Sequence, residues 1–417
     1  MNGFAYTFLA FALGALAARI FLAVRQERHV ARHRDAVPEA FAALISVEAH
    51  RRAADYTIEK LRFGVIEAVV MDGVVLLLLT LGGGLAKIDA WSASALGDGY
   101  ARGLATVFGV LAVTALNGLP FDLWRTFVIE ERHGFNKATP AIFFIDLAKG
   151  AALSLALGTP LLLMVFWFVQ AAGAWWWLYT WLAWIAFTLV LVAIYPRWIA
   201  PLFNRFTPLE AGEVRSRIEA LLARSGFRAE GLFVMDGSRR SSHGNAYFTG
   251  FGRSKRIVFF DTLLERLTPA EIEAVLAHEL GHFARGHIPR LLTVRFVLAL
   301  AMLALVGWLL REPAFAQGLG LGFPPHIGAA LAGFALVIPP FLFPFQPVAS
   351  LFARHQEFEA DAFAAQHASA HDLEAALTKL YRDNASTLTP DPLHSLVYDS
   401  HPPATLRIAH LKGVAPG

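Results

Sequence analysis

Seven stretches, at 3–24, 64–86, 103–121, 147–171, 174–196, 291–311 and 327–347, are apolar enough and long enough to cross a bilayer. Nothing else in the chain narrows its fold so far. A spanning helix needs about 20 consecutive apolar residues. In hydrocarbon every backbone N–H and C=O must be satisfied within the segment, so each stretch is predicted to be a helix. The composition agrees: 56% of the 417 residues are hydrophobic and the mean hydropathy is +0.49, against about 45–50% apolar residues in soluble domains. The expected fold class is therefore mainly α, a polytopic membrane protein with seven transmembrane helices. The fourth and fifth spans nearly touch at Ala171-Ala172-Gly173-Ala174, followed by Trp175, Trp176 and Trp177, which reads as a tight hairpin at an aromatic interface belt.

Charge gives this bundle a direction. The first span has no basic residue before its apolar run but is followed by Arg25, Arg28, Arg32 and Arg34, the flank of a retained anchor rather than a cleaved signal peptide. By the positive-inside rule that flank is cytoplasmic. The loops 25–63, 122–146, 197–290 and 348–417 are then cytoplasmic, and 87–102 and 312–326, which carry few basic residues, lie outside. The expected organisation is five spans with their loops over 1–196, a cytoplasmic catalytic domain over 197–290, two spans over 291–347 and a cytoplasmic C-terminal segment over 348–417. Asp72 and Asp146 fall within or at the edge of spans, where an ionised group faces water or a partner; a wet interior and a salt-bridged structural role are both open. The glycine cluster Gly82-Gly83-Gly84 is expected to end the second span. The formal charge is only +3, with basic and acidic residues interleaved, which argues against nucleic acid as a partner; the pI of 9.2 suits loops facing anionic lipid.

No cysteine is present, so any metal site must be built from His, Asp and Glu. Such a site is suggested by His278-Glu279-Leu280-Gly281-His282. Two histidines four apart share one face of a helix, so both imidazoles can reach one Zn²⁺, while Glu279 sits beside the water that the metal activates. Thr268-Pro269-Ala270-Glu271 reads as a capping box with proline at the first helical position, and the helix it starts runs into the histidines. Glu210–Arg224 has helical spacing, while Leu232–Met235, Ala246–Phe251 and Arg256–Phe260 read as short strands, the last two joined as a hairpin by Gly252-Arg253-Ser254-Lys255. Gly281 costs its helix about 1 kcal/mol against alanine, which close packing of another element would explain.

A catalytic zinc of this kind takes a third protein ligand. Glu357 is the best candidate, with Asp361 one turn onward on the same face to accept the second N–H of a ligating imidazole. Glu359, Glu273 and His287 are rivals. Glu359 would point away from Glu357, Glu273 lies five residues before His278, and His287 follows an expected helix end at Gly286.

With these residues assembled, the chain resembles the type-I CAAX prenyl endopeptidases, integral membrane zinc proteases of the gluzincin kind. The resemblance covers nearly the whole length. It rests on Glu130-Glu131-Arg132-His133-Gly134-Phe135-Asn136-Lys137, on Ser242-His243-Gly244-Asn245-Ala246-Tyr247, on the HELGH sequence, on Glu357-Phe358-Glu359-Ala360-Asp361, and on Ser400-His401-Pro402-Pro403 followed by Arg407. It implies seven helices enclosing a water-filled chamber, a zincin-like α+β catalytic domain on the cytoplasmic side, and one zinc held by His278, His282 and Glu357 with Glu279 as general base. It further implies that Asn245, Ala246 and Tyr247 form an edge strand that pairs with the substrate backbone, that His243 contacts substrate, that His401 and Arg407 lie near the active site where either could steady an oxyanion, and that Asp361 and Arg354 support the ligands. Two departures, Ala353 before Arg354 and Thr405-Leu406 before Arg407, bear on substrate preference rather than on zinc chemistry.

The expected activity is hydrolysis of peptide bonds near the C-terminus of peptides that carry a prenyl group, with membrane lipid as the surrounding partner. The arginine- and alanine-rich composition suggests a bacterial inner membrane, and no ER-retention signal is read at Val414-Ala415-Pro416-Gly417. The alternatives are a quality-control protease like HtpX, and a seven-span transporter or receptor with a structural zinc. The intact Glu279 argues against the latter, since a purely structural site has no need of a base.

Overall fold

In the computed structural model, residues 1–249 and 256–413 are described. Helix α1 (Gly3–Arg32) is followed by α2 (Val47–Ala68), which continues through wider i→i+5 turns at Val69–Val75 to Leu79. The chain then bends by 50° at the glycine cluster into α3 (Gly84–Leu96). Gly83 takes φ 76°, a left-handed conformation that glycine adopts without a Cβ penalty, so the second span ends where the sequence places its break. Helices α4 (Tyr100–Trp124), α5 (Pro140–Ala171) and α6 (Trp176–Ile194) complete the first five crossings. Trp175 stands exposed at the α5–α6 turn while Trp176 is buried.

Helix α7 (Glu213–Arg224) and a four-stranded sheet follow. Its strands are β1 (Phe206–Pro208), β2 (Gly231–Met235), β3 (Ala246–Thr249) and β4 (Arg256–Phe260), in the order β1-β2-β4-β3. β2 and β4 are parallel; β1 pairs antiparallel with β2 and β3 antiparallel with β4, Ala246 opposite Phe259. The turn expected at Gly252–Lys255 lies outside the described residues, as do Phe251 and the last four residues, Val414 to Gly417. Helix α8 (Pro269–Ala284) carries the two histidines; α9 (His287–Leu309) and α10 (Ile327–Leu342) are the last two crossings; α11 (Gln346–His367), α12 (Ala370–Asp383), α13 (Pro392–Tyr398) and α14 (Ala404–Gly413) close the chain.

Among the described residues, six helices are long and apolar enough to cross a membrane, and the bent pair α2–α3 makes up to seven. Their burial is low: 11% of the most apolar window of Tyr100–Glu130 lies inside the protein. Leu116, Trp167, Val190 and Leu298 are among many large apolar side chains left open along these helices, surface that only lipid can cover. Asp72 is ion-paired with Arg19 within the bundle, and Asp146 receives two bonds from Arg240, 2.8 and 3.1 Å.

Away from the spans a second core forms where Ile257 and Phe259 of β4 meet Ile272, Leu276 and Leu280 of α8, with Phe363 of α11 and Leu373 of α12. The capping box that starts α8 is formed, Thr268 Oγ1 accepting from Glu271 N–H and Glu271 accepting from Thr268 N–H. The crossing of α8 and α11 is close because of Gly281. A Cβ there would stand 2.8 Å from Ala360 Cα and 3.0 Å from Ala360 O, both backbone atoms that cannot swing aside. Overpacking of this kind costs about 1–3 kcal/mol. Gly281→Val is therefore expected to lower the thermal midpoint of the detergent-solubilised protein and to weaken its zinc affinity together; an unchanged midpoint would mean that the two helices are free to separate.

Candidate active site

The α8–α11 crossing brings three ligand types together. His278 Nε2 and His282 Nε2 are 3.3 Å apart, and the carboxylate of Glu357 stands 3.5 Å from the first and 3.4 Å from the second. All three ligand atoms lie within 4.8 Å of one another. Ligands about 2.0–2.2 Å from a tetrahedral zinc are separated by roughly 3.3–3.5 Å, so these spacings are the edges of such a site. Glu357 Oε2 is buried without a hydrogen-bond partner, an orphan oxygen that a cation would satisfy. The residues present fit a zinc ion.

Behind the ligands lies a buried support. His278 Nδ1 is 2.8 Å from Asp361 Oδ1, and Arg407, one turn into α14, grips the same carboxylate through Nε and Nη2 at 2.9 and 2.5 Å. Its Nη1 stands 3.6 Å from Glu357 Oε2. Asp361 and Arg407 are both buried, at 0% and 4% exposure. Burial opposes a charge on His278, but the Asp361 and Glu357 carboxylates outweigh it and push the imidazole up to about 9; a divalent cation arriving there displaces a proton. Glu279 is carried by the same helix, and burial raises its carboxyl above the usual range, toward the basicity a general base requires.

A cavity of about 690 Å³ opens in front of these groups, lined by His401, Arg407, Tyr381, Asn245 and His243 among others. His401 Nε2 lies 3.5 Å from Glu357 Oε1. Its side chain is open to the cavity, yet the surrounding protein encloses it enough to lower its pKa below the usual imidazole range. A neighbouring space of about 750 Å³ between α1 and α2 shares Gln26, His243, Asn384, Ser386 and Tyr398 with the first, and a third of about 230 Å³ deeper in the bundle shares Arg19 with the second.

Next to Asn245, which lines the cavity, β3 is the edge of the sheet. Phe260 N–H donates to Asn245 O at 3.0 Å, so by antiparallel alternation the backbone groups of Ala246 and Phe248 face away from β4. Asn245 is exposed, and its side chain accepts from Ala246 N–H at 2.8 Å. Ala246 packs into the core beside α8, whereas the Tyr247 ring lies against Phe260 with its hydroxyl 3.9 Å from Met235 Sδ. The lead-in to β3 is braced by the 130–137 loop: Phe135 stacks on His243 at 4.4 Å, Ser242 N–H donates to Phe135 O, and Lys137 N–H donates to Arg240 O. Glu130 accepts from Tyr56 at 2.5 Å and lies 3.7 Å from His243.

Arg354 is not among the groups at the ligands. It bonds to the Asp399 carbonyl at 3.0 Å and to Ser395, tying α11 to the segment that leads into His401. Among the rivals, Glu273 is taken up by Arg217 and Arg224, and His287 and Glu359 lie behind His282 rather than in front of it. Two residues that no motif marks also reach the site: Tyr381, which lines the cavity, and Asn384, whose Oδ1 lies 3.2 Å from His243 Nδ1 and accepts from Gly244 N–H at 3.3 Å. Asn384 caps α12, its N–H donating to Leu380 O at 2.9 Å, and Ala385 after it takes φ 46°, a conformation uncommon for an L-residue.

The arrangement is that of a membrane-embedded zinc metalloendopeptidase. Residues 26–205 match the family described as CAAX prenyl protease N-terminal, five membrane helices, and residues 208–415 match Peptidase family M48. The chain is 36% identical over 394 residues to CAAX prenyl protease 1 homolog of Arabidopsis thaliana, covering 90% of both chains. It is 32% identical over 442 residues to the Homo sapiens protein of the same name, covering 94% of this chain and 92% of the relative. The crystal structure of S. mikatae Ste24p superposes with a TM-score of 0.90 at 30% identity, covering 99% of each chain. The protein belongs to peptidase family M48, in the branch that carries the CAAX prenyl protease N-terminal helices. This decides between the two proteolytic readings in favour of the CAAX type over the HtpX-like one, and sets aside a non-catalytic transporter or receptor.

Removing one partner of a buried ion pair costs about 3–5 kcal/mol. Arg407→Ala, which strips Asp361 of its cation, is therefore expected to lower the unfolding free energy by about that amount in denaturant titrations; a loss below about 1 kcal/mol would show that the pair is solvated.

Proposed function

We propose that this chain cleaves peptide bonds near the C-terminus of prenylated peptides, as the names of its relatives say of them, using His278, His282 and Glu357 to hold zinc. The observation that carries the reading is the ligand triad, spaced as tetrahedron edges, with His401 and Arg407 beside Glu357 both lining the adjoining cavity. Bound zinc supplies Lewis acidity at the scissile carbonyl and makes a water nucleophilic at neutral pH. Glu279 takes the proton from the attacking water and hands it to the leaving amine. The substrate lies extended along β3, its backbone pairing with the outward Ala246 carbonyl and the outward groups of Phe248 while Asn245 and His243 line its path. His401, open to the cavity beside Glu357, steadies the oxyanion; Arg407 borders the same cavity, but two of its nitrogens are committed to Asp361, so it acts mainly by holding that carboxylate against His278. The smaller space deeper in the bundle, lined by Leu16, Val75, Leu76, Leu79 and Leu336, suits a lipid chain attached to the substrate.

We place residues 197–290 and 348–417 together as the catalytic portion, with a zincin-like arrangement of sheet and α8. The basic flank at Arg25–Arg34 supports a cytoplasmic active site, and the arginine-rich composition supports a bacterial inner membrane.

Glu279→Gln is expected to bind zinc as wild type does but to cut a farnesylated C-terminal peptide at least about 10²-fold more slowly, the lower range for loss of a general base; product analysis by mass spectrometry reads both rate and scissile bond. Cleavage at the wild-type rate would remove Glu279 from the mechanism. Because the chain has no cysteine, single substitutions report topology: Trp91→Cys is expected to react with a membrane-impermeant maleimide on intact cells and Arg32→Cys only after permeabilisation. The opposite pattern would place the site on the other face.

A further inference from the structure

The two ligating imidazoles are not supported in the same way. His278 meets Asp361 directly, whereas His282 meets another histidine. Gly286 adopts a left-handed conformation, φ 69°, and turns the chain so sharply between α8 and α9 that His287, the first residue of α9, comes back beside His282 with Nδ1 to Nδ1 at 2.9 Å. His287 Nε2 is in turn 2.8 Å from Glu359 Oε2. His287 is buried at 3% exposure. Glu359 sits two residues from Glu357 on α11, on the opposite side of the helix, and reaches the metal position only through this ring; Arg290 and His355 also approach its carboxylate, at 3.8 and 3.7 Å.

Counting protons fixes the direction of each bond. An imidazole that presents Nε2 to a metal carries its proton on Nδ1, so His282 Nδ1–H donates to His287 Nδ1. His287 then has its single proton on Nε2 and donates it to Glu359. With that assignment every polar atom of the two rings is paired. If His287 Nδ1 donated instead, the proton of His282 would sit on Nε2, facing Glu357 and the metal position, and that tautomer could not ligate. Glu359 therefore selects the ligating tautomer of a side chain it does not touch.

We propose that Glu359 and His287 form a positioning relay that fixes the ring orientation and tautomer of His282, the counterpart of the direct Asp361 contact at His278. The relay rests on the assignment of His278, His282 and Glu357 as zinc ligands. It makes both histidine supports and the carboxylate ligand products of one helix, α11, through Glu357, Glu359 and Asp361.

The test uses the full-length protein in detergent, with Zn²⁺ competed against a chromophoric chelator and the visible spectrum of Co²⁺ as a second readout of ligand geometry. His287→Ala and Glu359→Ala are each expected to weaken zinc about 10–100-fold, the usual effect of losing a support to a metal ligand, and to alter the Co²⁺ bands. Since the two residues act in series, the double variant should bind no more weakly than His287→Ala alone. Glu359→Gln, whose amide oxygen can still accept from His287, should recover most of the affinity. Glu359 is partly exposed, so its variants should keep the thermal midpoint of the chelator-treated protein. Wild-type zinc affinity in both alanine variants, multiplicative losses in the double variant, or a Gln variant as weak as Ala would overturn the relay. Glu357→Gln separates the two levels: tight zinc in that variant would overturn the ligand assignment and the relay with it, while loss there alongside intact binding in the relay variants would overturn the relay alone.

Discussion

The approach of α8 to α11 at Gly281 and Ala360 is the constraint on which the site depends. Two histidines on one helix give a metal only two ligands on one side; the third must come from a helix close enough for a short carboxylate to complete the tetrahedron. A side chain at 281 would hold α11 off by the thickness of a methyl group, and the 3.4–3.5 Å spacings from Glu357 to the imidazoles would open. The glycine weakens its own helix by about 1 kcal/mol relative to alanine, a local cost that makes sense only through the contact it permits. The capping box at Thr268 and Glu271 offsets part of that cost at the other end of the helix.

Once the helices touch, electrostatics determine what the crossing can hold. Glu357, Asp361 and Arg407 are buried together with His278, a concentration of charge that would be untenable without mutual pairing. The pairing is ordered: arginine to Asp361, Asp361 to His278, and His278 turned so that Nε2 faces forward. His401, Tyr381 and Asn245 line the cavity side, and β3 is the edge strand that follows Asn245. In the proposed mechanism, metal, base and peptide would thus be addressed by different elements, α11 with α8, α8 alone, and the sheet edge.

Much of this was legible in the sequence because it depends on periodicity. The spans follow from runs of apolar residues, the facing of His278 and His282 from a four-residue step, the capping box from Thr268 and Glu271, and the strands from short β-branched and aromatic runs. The bend after the second span follows from three consecutive glycines. Even the tight packing at Gly281 was foreshadowed by a helix-weakening residue between two metal ligands. What periodicity cannot carry is contact between elements distant in the chain. Asn384 reaches His243 across 141 positions, and nothing around Asn384 marks it. Arg354 carries the charge expected of a support for the ligands, but its direction is set by how α13 packs on α11, so it anchors the approach to His401 instead. Glu359 and His287 read in the sequence as rival ligands alone, because the contact between His287 and His282 depends on the chain doubling back at Gly286.

The last two crossings do not stop at the bilayer surface. Only Arg285 and Gly286 separate α8 from α9, and Ile327–His367 runs as 41 helical residues, about 60 Å at 1.5 Å per residue, with Glu357 about three quarters of the way along. The carboxylate that would complete the metal site is thus mounted on an extension of a candidate bilayer-crossing rod. Severing the chain at the lipid boundary to obtain a soluble enzyme would leave that carboxylate without its mast, so the centre that performs hydrolysis is inseparable from the hydrocarbon that keeps the rod upright.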